Sequence, residues 1–295
     1  MRPEFRTRFA PSPTGPLHLG HAYSAMLAYD MAMREGGQFL LRIEDIDRSR
    51  ARPEWEQQIY TDLEWLGLGW ERPVMRQSDR LAAYATALDE LWRRDLLYPC
   101  TCSRRDILDA IAAPQEGVAP TGPDGVIYPK TCAESVNGIA CSLSARPQDQ
   151  SLRMAMWRAG RFAQPHSEGQ RWNFTETGSK HCGLITFTPD QMETEVGDIV
   201  LARKDMGTSY HLSVVLDDAA QGISHVVRGA DLFEATRIHV VLQSLLGLPT
   251  PRYHHHRLIR DGAGKRLAKR DDARAIRQYR ADGASAQDIR RLVGL

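Results

Sequence analysis

A chain of 295 residues with 42% hydrophobic and 25% charged content can bury a full core, as one large domain with insertions or as two. No apolar run approaches the ~18 residues of a membrane span, and Met1-Arg-Pro-Glu-Phe-Arg6 has no apolar stretch behind its charges, so the expected location is cytoplasmic. Five cysteines without an export signal argue for metal or free thiols over a disulfide framework, and a net charge of +1 does not announce a nucleic-acid binder.

Arg6 to Phe9 reads as a short strand. A turn holding three prolines and Gly15 follows, with stiff backbone. It runs into a helix expected from Ala22 to Glu35 and closed by Gly36-Gly37. His18 and His21 stand three apart on that helix's first turn, with Gly20 between them. A helix N-terminus offers N–H groups and a positive dipole end to an anion, and glycine lets a phosphate approach the backbone. Two polar surface histidines fit the spacing equally well. Gln38 to Ile43 reads as a buried strand, completing a strand, helix and strand crossover of a parallel sheet. Ligands are expected at the carboxyl ends of such strands, where the proline turn and Glu44-Asp45-Ile46-Asp47 both lie.

Pro53 to Leu66 and Gln77 to Leu97 carry apolar residues at helical spacing and read as core helices. Cys100-Thr-Cys102 then precedes a helix-like Ser103 to Ala112, a Pro/Gly-rich loop over 113–125, and Tyr128-Pro-Lys-Thr-Cys132, with Cys141 beyond. By spacing alone the metal set is Cys100, Cys102, Cys132 and Cys141, although C-x-C is a weaker zinc pattern than C-x-x-C. Cys182 reads as a free, buried or half-buried thiol. Ser151 to His181 suggests irregular strands. Gly197 to Ala202 reads as a strand, Ser209 to Leu216 as a helix, Ile223 to Arg228 as a buried strand and Leu232 to Leu246 as a helix. His254, His255 and His256 alternate faces on a strand and suit a structural role better than chelation of one ion. From Arg252 to Leu295 there are 12 Lys/Arg against 5 Asp/Glu, a basic segment that is either a phosphate-facing surface or a solvated helical tail. The expected division is 1–97 and 191–250 as two halves of a nucleotide-binding domain, 98–190 as an inserted subdomain, and 251–295 as a lysine loop with a short helical end.

The eleven residues Pro11-Ser-Pro-Thr-Gly-Pro-Leu-His-Leu-Gly-His21, with Arg8 ahead and Arg42-Ile-Glu-Asp-Ile-Asp47 behind, resemble the first signature of class I aminoacyl-tRNA synthetases in its glutamyl/glutaminyl form. The resemblance implies an α/β, Rossmann-like doubly wound parallel sheet with a small inserted zinc-binding subdomain; only 25 residues follow Arg270, too few for the family's anticodon-binding domain, so none is expected. It implies ATP with magnesium as substrate, the amino acid's own carboxylate attacking the α-phosphorus while the protein supplies positioning and positive charge. His18, His21 and Lys269 are the implied catalytic residues, and His18, Gly20, His21, Arg266 and Lys269 the ATP contacts. Arg266-Leu-Ala-Lys269 stands where the family has Lys-x-Ser-Lys, with Arg replacing the first Lys and Ala268 the Ser. The implied glutamate pocket is Arg8, Phe9, Ala10, Pro11, Ser12, Glu44, Tyr210 and Arg228. Glu44 would take the ammonium and the two arginines the carboxylates, in an order left open.

The C-x-C and Tyr-x-x-x-Cys pair also resembles a group of short relatives, the glutamyl-Q tRNA(Asp) synthetases, where three cysteines and the tyrosine hold a structural zinc. That implies Cys100, Cys102, Tyr128 and Cys132 here, with Cys141 competing for the fourth position. The implied activity is tRNA-independent activation of L-glutamate and its transfer to the queuosine base at the wobble position of tRNA(Asp). The anticodon stem-loop would meet the basic C-terminal segment, and a monomer is expected. Three other readings remain: a truncated glutamyl-tRNA synthetase charging an acceptor end, an inactive RNA-binding paralogue, or another nucleotidyltransferase with the same first signature.

Overall fold

The computed structural model describes residues 4–112, 121–135, 144–162, 164–166, 169–260 and 274–295. Arg266, Lys269 and Cys141 lie outside them. Strands β1 (Arg6–Phe9), β2 (Gln38–Ile43) and β3 (Glu71–Arg76) pair in parallel in that order, with α1 (Leu19–Arg34) and α2 (Pro53–Trp65) as their crossovers. After α3 (Leu81–Arg93) and β4 (Leu97–Cys100) the chain leaves this sheet. It passes through α4 (Arg104–Ala112), the two-residue strands β5 (Thr121–Gly122) and β6 (Gly125–Val126), α5 (Thr131–Ser135), β7 (Ser151–Met154) and α6 (Met156–Ala159). Strands β8 (Gln164–His166), β9 (Gly169–Glu176) and β10 (Gly183–Phe187), α7 (Pro189–Glu195) and β11 (Ile199–Ala202) follow. The chain returns through α8 (Tyr210–Ala220), β12 (His225–Gly229), α9 (Thr236–Leu245) and β13 (Arg252–His256), and ends in α10 (Ile276–Ala281) and α11 (Ala286–Val293).

The two halves of the sheet meet at β1 and β12. The Arg6 N–H donates to Ser224 Oγ at 2.8 Å, and the Ser224 N–H donates to the Arg6 carbonyl at 3.1 Å. Since β12 pairs in parallel with β13, β13 in parallel with β9, and β9 antiparallel with β10, the order across the molecule is β3-β2-β1-β12-β13-β9-β10. Connections leave β1 and β12 in opposite directions, which opens a crevice at their carboxyl ends. Side chains alternate across the sheet into two cores. Val226 joins a core with α3, α8 and α9, while its neighbour Val227 joins Phe9 and Leu41 under α1 and α2. This is the doubly wound α/β architecture expected. Among the described residues, no helix is long and apolar enough to cross a membrane.

Several boundaries differ from the sequence reading for local reasons. Helix α1 starts at Leu19, not Ala22, because His18 caps it. Strand β3 was not expected: it is an edge strand with an exposed first half and Pro73 within it, so it lacks the alternation of a half-buried strand. The long helix expected from Gln77 is a 3₁₀ turn over Gln77–Arg80 followed by α3. Strand β11 pairs antiparallel with β7, and β7 with β4, in a separate three-stranded sheet. Helix α8 runs on to Ala220, and α9 begins only at Thr236, after a 3₁₀ turn over Ala230–Leu232. Cys182 is exposed, contrary to the buried or half-buried expectation, because it sits in the turn that leads into β10.

Candidate active site

A cleft of about 950 Å³ opens at the carboxyl ends of β1, β2 and β12. It brings together every described residue expected from the sequence for amino acid and nucleotide: Arg8, Phe9, Ala10, Pro11, Ser12, Glu44, Tyr210 and Arg228, with His18, Gly20 and His21. The proline turn is held in place from β2's end. The Glu44 N–H donates to the Pro11 carbonyl, and the Arg52 N–H to that of Pro13, each at 3.0 Å.

The two histidines cap α1 reciprocally. The Gly20 N–H donates to His18 Nδ1 at 3.1 Å, and the His18 N–H donates to His21 Nδ1 at 3.2 Å, with the rings stacked at 3.8 Å. This is the geometry of a capping box, built from imidazoles instead of a hydroxyl and a carboxylate. Because each Nδ1 accepts from backbone, each neutral ring carries its proton on Nε2 and can donate it to an anion. Gly20 serves this arrangement directly. A Cβ there would lie 3.0 Å from His18 Cε1 and 3.1 Å from Nδ1, so the missing side chain makes room for the His18 ring.

Arg8 and Arg228 are both buried, yet their surroundings differ in charge. Arg8 donates to both oxygens of Asp218 at 2.9 and 3.3 Å and to the Val227 carbonyl at 3.3 Å. Asp218 also accepts from Arg42 at 2.6 Å, and Arg42 donates to Glu44 at 3.1 Å. Burial works against the ionised Asp218, but Arg8 and Arg42 outweigh it and hold its carboxyl below the usual range. Burial likewise opposes the Arg42 charge, and Asp218, Glu44 and Asp217 overcome it. Burial pushes the Glu44 carboxyl up, against the pull of Arg42.

Arg228 has no carboxylate partner among the described residues. Its Nε donates to His255 Nε2 at 3.1 Å, Nη1 to His239 Nδ1 at 3.0 Å, and Nη2 to Thr236 Oγ1 at 2.7 Å and to the Leu232 carbonyl at 3.3 Å. Burial, reinforced by Arg228, drives His239 well below the ordinary imidazole value, and burial lowers His255 as well. Both rings are therefore neutral acceptors. Arg228 is a solvated-by-protein cation with its charge unneutralised at contact distance, the arrangement that receives a carboxylate. Tyr210 sets its ring against His211 and His239, and burial raises its pKa, keeping the hydroxyl protonated.

The second cluster lies where β4 ends and α5 begins. The sulfurs of Cys100, Cys102 and Cys132 lie within 4.8 Å of one another, and Cys102 and Cys132 are 3.3 Å apart. The Tyr128 hydroxyl is 3.5 Å from Cys100 Sγ and 3.3 Å from Cys102 Sγ. A tetrahedral zinc with ~2.3 Å bonds to sulfur holds its sulfurs ~3.8 Å apart, so three thiolates and a phenolate at these spacings suit one ion. Burial resists the Cys132 thiolate, yet hydrogen bonds from Tyr128, the Thr101 backbone and the other thiols bring its pKa down to about 6. Burial pushes Cys102 up to about 11 and raises Tyr128 also. Arg153 donates to Cys100 Sγ at 3.3 Å while its guanidinium lies 3.7 Å over the Tyr128 ring, adding positive charge beside an anionic donor set.

Residues 4–295 match the family model for the catalytic domain of class I tRNA synthetases (E and Q). The chain belongs to this family. It is 62% identical over 289 residues to a glutamyl-Q tRNA(Asp) synthetase of Rhodobacter capsulatus, covering 98% of this chain and 99% of the relative. A protein of the same name from Nitratidesulfovibrio vulgaris is 38% identical, covering 96% and 83%. Among solved structures, a glutamate tRNA ligase from Elizabethkingia meningosepticum in complex with its amino acid is similar with a TM-score of 0.65 and 26% identity. That likeness covers 91% of this chain, which spans about half (52%) of the ligase.

In this class I synthetase, the residues that sequence reasoning missed are those that act through others. Asp218, His239 and Thr236 surround the expected pocket residues but belong to no signature, and Arg42, within the quoted Arg42-to-Asp47 stretch, was given no role. His255, read as structural within the triple histidine, contacts Arg228 directly. A usable signal was the run Asp217-Asp218 directly after the apolar Val214-Val-Leu216, since two carboxylates buried there demand buried cations.

Proposed function

We propose that this chain activates L-glutamate with ATP, without needing tRNA, and transfers it to the queuosine base of tRNA(Asp). The observation that carries the reading is the pairing, in one cleft, of a buried Arg228 that has no carboxylate partner among the described residues with a largely buried Glu44 whose carboxyl is raised. One site wants an anion and the other a cation, the charges of an amino acid with an acidic side chain. Arg8, already engaged by Asp218, is the weaker candidate for the side-chain carboxylate, so Arg228 takes that role and Arg8 orders the floor of the pocket. The substrate's α-carboxylate oxygen bonds to the α-phosphorus of ATP as the bond to pyrophosphate breaks. His18 and His21 donate from Nε2 to the phosphates, and the Lys269 loop, with Arg266, adds positive charge to the leaving group. A hydroxyl of queuosine's diol then displaces AMP from the glutamyl carbonyl. The name borne by the full-length Rhodobacter relative supports that acceptor. Cys100, Cys102, Tyr128 and Cys132 would hold a structural zinc, a closed set with no open position for chemistry. A cytoplasmic monomer belongs to the same reading.

The test is glutamate-dependent pyrophosphate exchange with and without tRNA, followed by labelled glutamate transfer to tRNA(Asp) with and without queuosine. Exchange without tRNA, and transfer only to the queuosine-bearing tRNA, are expected. Arg228→Ala should cut kcat/KM for glutamate roughly 100-fold with little change in the KM for ATP. Transfer to a tRNA lacking queuosine would instead indicate a truncated glutamyl-tRNA synthetase, and absence of exchange an inactive paralogue.

A further inference from the structure

Arg228 stands at the centre of a hydrogen-bonded line that ends on a carboxylate at each side. On one side it donates to His255 Nε2, and His255 Nδ1 donates to the buried Glu176, which also accepts from the backbone of His255 and Gly178. On the other side it donates to His239 Nδ1 at 3.0 Å. His239 Nε2 lies 3.1 Å from His211 Nδ1, and His211 Nε2 lies 3.1 Å from Asp124 Oδ1. A guanidinium can only donate and an ionised carboxylate can only accept, so the direction is forced from both ends. Along this line His239 and His211 each donate from Nε2 and accept at Nδ1.

Asp124 reaches this line from a different part of the chain. It sits in the two-residue turn Pro123–Asp124 between β5 and β6, with its side chain 43% exposed at the mouth of the cleft. The hairpin is tied down at its base. The Gly122 backbone packs so closely on the Glu195 carbonyl that a Cβ would lie 2.5 Å from that oxygen, and Tyr128 of the cysteine cluster follows β6 by two residues. The far end of the arginine's hydrogen-bond line therefore belongs to the segment that carries the cysteines.

We propose that Asp124 is a positioning residue for glutamate recognition, fixing His211 and His239 in the tautomers that let His239 accept from Arg228. The proposal rests on Arg228 as the receptor of the substrate carboxylate. Without Asp124, the His211 proton is free to sit on Nδ1, and His239 must then accept at Nε2 and carry its own proton on Nδ1. That N–H would face the N–H of Arg228. Two donors cannot share the contact, and the guanidinium turns from the cleft. Asp124 needs no contact with the substrate to exert this control.

The experiment compares Asp124→Ala with Asp124→Asn in the full-length, zinc-loaded protein. Asn keeps an oxygen acceptor for His211 and should hold the KM for glutamate within about twofold, whereas Ala should raise it roughly tenfold in pyrophosphate exchange. The KM for ATP and the zinc content should not change in either variant. In ¹⁵N-histidine spectra, the His239 Nδ1 signal should move from an unprotonated toward a protonated position in the Ala variant alone. An Ala variant with unchanged glutamate KM and unchanged histidine signals overturns the relay. So does one in which both KM values rise together with loss of zinc, since that is general damage. If Arg228→Ala itself leaves the glutamate KM unchanged, the pocket assignment fails and takes the relay down with it.

Discussion

Burial makes the Glu44 carboxylate costly to the fold, and a bound cation can relieve that cost. Its carboxyl is raised mainly by burial, and Arg42 only partly offsets this. A raised carboxyl binds its proton more tightly folded than unfolded, so the stability this group contributes falls as pH rises from the ordinary carboxylate value through the raised one. Substrate ammonium supplies the missing positive charge. Two consequences can be measured together. The KM for glutamate should rise as pH falls through the raised Glu44 value, because the protonated form cannot pair with the ammonium. Glu44→Gln should remove that acid limb and raise the KM roughly 10- to 100-fold at neutral pH. The same variant should melt no lower than the wild type near pH 7. A Gln variant that keeps the acid limb would assign the titration to another group.

At the scale of elements, legibility divides by how locally a feature is encoded. The first crossover of the sheet and the crevice at its carboxyl ends were readable because β1, α1 and β2 follow one another with a distinctive turn, whereas Tyr210 and Arg228 were expected in the cleft only through the family resemblance. Strand β3 was not, since an exposed edge strand has no apolar period to betray it. The partners of Arg8 and Arg228 were also hidden, because Asp218 lies 210 residues from Arg8, and such contacts exist only once the strands align. The cysteine cluster falls between these cases. Cys100, Cys102 and Cys132 were visible as a pattern, and the placement of the Tyr128 hydroxyl against two sulfurs favours it as fourth donor.

Tyr128→Phe tests that element. The variant keeps the ring under Arg153 and removes only the oxygen, so a loss of zinc affinity of roughly 10- to 100-fold reports ligation and not packing. Cys102 at about 11 and the raised Tyr128 must lose protons to bind metal, while Cys132 at about 6 has largely lost its own by neutrality. Wild-type affinity should therefore climb with pH from about 6 to about 8, and less steeply in the variant without the phenol. Competition with a chromophoric chelator measures both. Equal affinity in the two proteins would remove Tyr128 from the ligand set.

Across the whole molecule, the end of the chain supports its beginning. Ala275 forms a β-bridge with His18, and the Ile276 N–H donates to the Leu17 carbonyl at 2.8 Å, directly behind the first turn of α1. Ile276, Ile289 and Val293 are buried in the core that also holds Leu17 and Leu19. Arg290 clamps both oxygens of Asp30 on α1 at 2.7 and 2.9 Å. Arg280 stands 3.6 Å from Asp62 on α2, and Arg291 pairs with Asp288. The basic C-terminal segment thus spends part of its charge on docking to the sheet domain, which reduces what it can offer RNA. If that docking sets the position of His18, loosening it should impair ATP more than glutamate, since Arg228 sits on β12 and Glu44 just past the end of β2. Ile289 is fully buried, and Ile289→Ala should cost about 2–4 kcal/mol in urea denaturation. Assayed at a temperature where the variant remains folded, it should raise the KM for ATP severalfold and leave that for glutamate near the wild-type value. A variant with the full stability loss but an unaltered KM for ATP would make α10 and α11 a buttress for the fold alone.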